Sequence, residues 1–76
     1  MNIAKIVVAA AVYAIDKPYD YLVPPALEEK CVPGVRVAVP FGAGNRRSEG
    51  VVLEVIPLEM PPAYSLKPVE SVLDDS

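Results

Sequence analysis

Nine prolines and four glycines divide the 76 residues into short pieces, and this punctuation limits the fold more than any other feature of the chain. A proline inside a helix removes a hydrogen bond and clashes with the preceding turn, so helices have almost no room here. Short strands joined by turns fit the spacing. The pieces between the breakers carry the matching signal: in "VRVAVPF", Val35, Val37 and Val39 alternate with Arg36 and Ala38, the two-residue period of a strand. The same reading predicts a strand from about Ile3 to Val12, a second over Tyr19 to Val23, and a fourth at "GVVLEVI". In that fourth strand Val51, Leu53 and Val55 would form the apolar face, with Glu54 on the wetter one. A fifth strand fits "KPVESVL", with Pro68 at its start or on an edge. "PALEEK" has room for one helical turn. Pro33-Gly34 is a turn signal, "LEMPPAYSL" reads as a long crossover, and "FGAGNRRSEG" reads as a mobile loop in which Gly42 and Gly44 can take positive φ. The expected fold is mainly β: a small five-stranded, partly open barrel of the OB-like or SH3-like kind, with at most one short helical turn. Residues 1–76 are expected to form one domain, cut from a longer chain at "LDDS".

Composition excludes several functions. With 7 basic against 10 acidic residues and a formal charge of −3, a broad grip on duplex nucleic acid through many phosphates is not expected. One cysteine, Cys31, and no histidine provide neither a disulfide nor a His/Cys metal site, so no metal or other cofactor is expected and a reducing, cytoplasmic setting fits. Cys31 reads as a small core or loop residue. The apolar run "IVVAAAVYAI" after Lys5 has the outline of a signal peptide, but it is too short to span a bilayer and no membrane association is expected. A chain of this length has a thin core that could ill spare it, so a buried strand is the preferred reading. No phosphate-binding loop, histidine base or paired carboxylates on a pocket-forming helix are read in the sequence, so no catalysis is expected. "GAGNRR" lacks the third glycine of a dinucleotide fingerprint and reads as a hairpin loop whose Arg46 and Arg47 are solvated or in contact with phosphate.

One local pattern is unusual. In "DKPYDYLVP" a carboxylate, Asp20, stands between Tyr19 and Tyr21; on a strand the two rings would share one face and the acid would project from the other. Together with "VRVAVPFG", "EGVVLEVI" and "LKPVESVLD", in that order and at these distances, the segment closely resembles the N-terminal 3′ DNA-binding domain of the PriA family of bacterial replication-restart helicases. The resemblance runs from about Ile3 to Asp75. It implies a module that captures the 3′ end of a nascent leading strand at a stalled fork. Its end-binding pocket would fall on Tyr19, Asp20 and Tyr21, on Gly42 after Pro-Phe, and on Lys67 in the last strand. Asp20 would accept a hydrogen bond from the terminal 3′ hydroxyl, and either tyrosine could stack on the last base. Implied partners are DNA 3′ ends and single-stranded DNA, the remaining helicase domains and, through the full-length protein, primosome and single-strand-binding proteins. The helicase lobes themselves are missing, so ATPase activity does not carry over to this chain. A second reading, from "PGVRVAVPFG" followed by "EGVVLEV", is a KOW or SH3-like protein-interaction or ribosome-associated module.

Overall fold

The computed structural model describes residues 2–9, 18–59 and 65–73. It contains five strands, β1 (Asn2–Val8), β2 (Tyr19–Val23), β3 (Arg36–Phe41), β4 (Arg46–Pro57) and β5 (Ser71–Val72), and one 3-10 turn at Pro25–Leu27. Their order in the sheet is β2-β1-β4-β3-β5, and every ladder is antiparallel. The mainly β architecture, the number of strands and the single short turn after Pro24 agree with the expectation. Among the described residues the sheet does not close through a ladder. Its nearest approach to closure is one parallel bridge, Leu22 with Pro68, where the Leu22 amide donates to the Lys67 carbonyl (2.9 Å) and the Val69 amide donates to the Leu22 carbonyl (2.9 Å).

The core follows the alternation. Ala4, Ile6 and Val8 of β1, Tyr21 and Val23 of β2, Val37 and Val39 of β3, Val52 of β4, and Cys31 and Val69 outside the strands form one buried cluster. Each valine or isoleucine of the cluster withdrawn from water contributes roughly 1.5–3 kcal/mol. The apolar start of the chain therefore supplies a central strand, paired on one side with β2 and on the other with β4. Residues 10–12 of the expected first strand, 60–64 of the expected crossover, and 74–76 lie outside the described residues. Cys31 is buried, and desolvation pushes its thiol up from its ordinary value, as befits a small core residue rather than a reactive one.

Four details differ from the sequence reading. β4 begins at Arg46 rather than Gly50, because Arg46 to Gly50 pair residue by residue with Phe41 to Val37; the loop is only Gly42 to Asn45, and both arginines belong to the strand. In that loop Gly42 takes a positive φ of 78° as expected, but the second left-handed residue is Asn45 at 51°, not Gly44. Of the expected apolar face of β4, Val55 packs against the core but Val51 and Leu53 do not. Lys5 pairs with Glu54 and Ile6 with Val52, so Leu53 is an extra residue in a β-bulge, and the alternation changes phase there. Val52 is buried while Val51 and Leu53 are exposed. Finally, β5 is only Ser71–Val72, so Lys67 and Pro68 lie before the last strand, along the edge of β2.

Gly50 shows how closely β1 and β4 approach. A Cβ placed there would meet Ile6 Cγ2 at 2.5 Å and the Val7 carbonyl oxygen at 2.9 Å, the second of which cannot rotate away. Alanine ordinarily suits a strand better than glycine. At this position Gly50→Ala is instead expected to cost about 1–3 kcal/mol through overpacking, read as a lower urea midpoint; an unchanged midpoint would show that the two strands separate freely.

Candidate 3′-end cleft

The triplet Tyr19, Asp20 and Tyr21 opens β2, directly after Pro18. Strand alternation sends both rings to the core side and Asp20 to the other. The rings differ in depth. Tyr21 is 4% exposed, and its hydroxyl donates to the Pro40 carbonyl at 2.8 Å. Desolvation raises its pKa above the ordinary phenol value of 10.0, with Tyr19 as a smaller contributor. Tyr19 is 38% exposed and meets Phe41 edge to face, with ring centroids 5.2 Å apart at 85°. Tyr21 is thus a fixed support, and Tyr19 presents its ring to solvent.

Asp20 stands opposite Lys5 in the β1–β2 ladder, and Lys5 Nζ donates to Asp20 Oδ1 at 3.1 Å. Both side chains are about one-third exposed, at 37% for Lys5 and 32% for Asp20. A partly solvated pair of this kind adds little stability, but it compensates the negative charge of Asp20 locally. A carboxylate has about four acceptor positions, so one bond from Lys5 does not exhaust it. Sequence reading did not single out Lys5, because only the strand register brings it to Asp20.

The third wall comes from further along the chain. Lys67 Nζ donates to the Gly42 carbonyl at 2.7 Å, and the same oxygen accepts the Asn45 amide at 3.1 Å to close the hairpin turn. Gly42 sits in this turn at a positive φ of 78°. Within 4 Å of the position a Cβ would take, nothing is met, so glycine is required there by backbone conformation rather than by crowding. Tyr19, Asp20, Tyr21, Gly42 and Lys67 line one cleft of about 320 Å³ together with Phe41, Ser65 and Leu66, a volume at the lower end of the range for small-ligand sites. Phe41 was legible only as the continuation of the Val37–Val39 face; Ser65 and Leu66 carry no signal of their own. Arg46 and Arg47 are exposed on β4 and do not line the cleft. Among the described residues no cluster of three metal-ligating side chains is found, and no helix is long and apolar enough to cross a membrane.

Residues 5–76 match the family model described as the 3′DNA-binding domain (3′BD) of PriA. The chain is also 38% identical over 74 residues to the replication restart protein PriA of Bacillus subtilis (strain 168), an alignment that covers 97% of this chain and 9% of that protein.

The different roles of the two tyrosines can be measured. Tyr21→Phe leaves the Pro40 carbonyl without its donor and is expected to cost about 1–3 kcal/mol, whereas Tyr19→Phe leaves unfolding unchanged. Because the folded phenol of Tyr21 has the higher pKa, its stabilising contribution is complete below the unfolded value near 10.0 and is lost as pH rises through the folded value. The stability gap between parent and Tyr21→Phe should therefore narrow in strong alkali. A gap that widened there would overturn the assignment.

Proposed function

We propose, since this chain belongs to the 3′ DNA-binding domain family of PriA, that its cleft holds the 3′-terminal nucleotide of a DNA strand during replication restart. The observation that supports this reading best is the convergence of Tyr19 and Asp20 from β2, Gly42 from the β3–β4 turn, and Lys67 from the segment along the β2 edge on one cleft. Each group suits one part of a strand end. The exposed ring of Tyr19 stacks on the last base, a contact worth about 1–3 kcal/mol that any base can make. Asp20 accepts a hydrogen bond from the terminal 3′ hydroxyl. Lys67, tethered to the Gly42 carbonyl, supplies positive charge to the last internucleotide phosphate.

Asp20 then provides selectivity as well as affinity. A hydroxyl can donate to its carboxylate; a terminal phosphate is repelled by it. Lys5 lessens the general repulsion between an acidic side chain and a polyanion without removing the acceptor. The module works by binding alone, with no catalytic step or cofactor of its own, on DNA in the cytoplasm. Within a longer restart protein it would deliver the strand end to the helicase domains, and contacts with primosome and single-strand-binding proteins would belong to that whole protein. The family match does not favour the KOW or SH3-like reading.

The experiment is a titration with a short oligonucleotide ending in a 3′ hydroxyl and the same oligonucleotide ending in a 3′ phosphate. The parent is expected to prefer the hydroxyl, and Asp20→Ala to lose roughly ten- to a hundredfold in affinity for it, the equivalent of about 1.5–3 kcal/mol for a charged hydrogen bond. Tyr19→Ala should weaken all four terminal bases to a similar degree. Equal binding of both ends by the parent would overturn the 3′-hydroxyl reading.

A further inference from the structure

The β3–β4 hairpin carries two arginines where β4 begins, and its register separates them. Residues paired across an antiparallel ladder share a face of the sheet. Val37, Val39 and Phe41 pair with Gly50, Ser48 and Arg46. Val37, Val39 and Gly50 on this face are buried in the core, and at its open end Phe41 lines the cleft. Arg46 is therefore the last residue on the cleft side, opposite Phe41. The alternate pairs, Arg36 with Val51, Ala38 with Glu49 and Pro40 with Arg47, lie on the other face. There Arg36 reaches Glu49 at 3.8 Å, so Arg47 shares its face with an acid two residues away on the same strand.

We propose that Arg46, and not Arg47, binds a backbone phosphate of the DNA strand where it leaves the cleft. The inference rests on the 3′-end reading and extends it from the terminal nucleotide to the next part of the strand. Among the described residues no ion pair to Arg46 is found, and its side chain is exposed. A strand whose terminal base lies on Tyr19, next to Phe41, passes the end of the core-side face of the hairpin as it emerges. An arginine there meets phosphate oxygens with a planar set of donors, and it interacts with the backbone without reading sequence. Together Lys67 and Arg46 form a short phosphate track, which an acidic chain can provide without a broad basic surface.

The test compares parent, Arg46→Gln and Arg47→Gln in titrations of a short single-stranded oligonucleotide with a free 3′ hydroxyl, between about 50 and 200 mM salt. Arg46→Gln is expected to lower affinity several-fold and to make the log–log salt slope shallower by about 0.7, the value for one phosphate contact on a single strand. Arg47→Gln should leave both unchanged, and a dinucleotide too short to reach the hairpin should bind parent and Arg46→Gln alike. An unchanged slope in Arg46→Gln, or an equal loss in Arg47→Gln, overturns the assignment of Arg46 while a parental preference for the 3′ hydroxyl over the 3′ phosphate still stands. Loss of that preference in the parent overturns the cleft reading and this inference together.

Discussion

β2 and β3 are not neighbours in the sheet, since β1 and β4 lie between them, and the cleft exists because they are nevertheless tied together. The Tyr21 hydroxyl reaches across the core to the Pro40 carbonyl. That bond uses the carbonyl of a proline at the end of β3 and draws the start of β2 against the β3–β4 turn. Tyr19 can then meet Phe41, and the turn comes within reach of Lys67. The sheet is curled into a partly open barrel by contacts between strands that do not pair, and the cleft occupies the seam.

The seam needs a second tie. The segment from Lys67 to Val69 bonds to Leu22 through the amide and carbonyl groups of a single residue before the chain crosses to β3, where the Glu70 amide donates to the Ala38 carbonyl at 2.8 Å. One short stretch thus spans the gap between both sides of the sheet. A longer ladder would cover the β2 edge with backbone; a single bridge leaves the side chains at the start of β2 available. The same arrangement explains why Lys67 is held in place outside any strand: its carbonyl accepts from the Leu22 amide and its ammonium donates to the Gly42 carbonyl.

Electrostatics accounts for the economy of the site. The chain carries net charge −3, so affinity for a polyanion has to come from a few placed cations rather than from an overall field. Lys5 compensates Asp20, and Lys67 stands at the opposite wall. Asp20 keeps acceptor positions beyond the one that Lys5 fills, so the cleft holds a carboxylate acceptor and an ammonium donor on facing walls.

Local patterns in the sequence determined the β class, the places of the strands, the single short turn at Pro25–Leu27, and the fact that Tyr19 and Tyr21 share a face. These follow from proline geometry and two-residue alternation, which act within a few residues of chain. Depth, phase and partnership depended on contacts distant in sequence. Only the fold buried Tyr21 and exposed Tyr19, because the acceptor for one hydroxyl is a carbonyl of another strand. The bulge at Leu53 reversed the expected face of β4 on the Val51 side and left Val55 on the core, since an extra residue is defined only relative to the partner strand, and pairing with β3 drew the polar Arg46–Glu49 stretch into a strand that its composition did not announce. Tertiary structure likewise brought Lys5 to Asp20, Lys67 to Gly42, and Arg46 rather than Arg47 to the cleft side, because a residue's face is local while the neighbour on that face is supplied by the register of another segment.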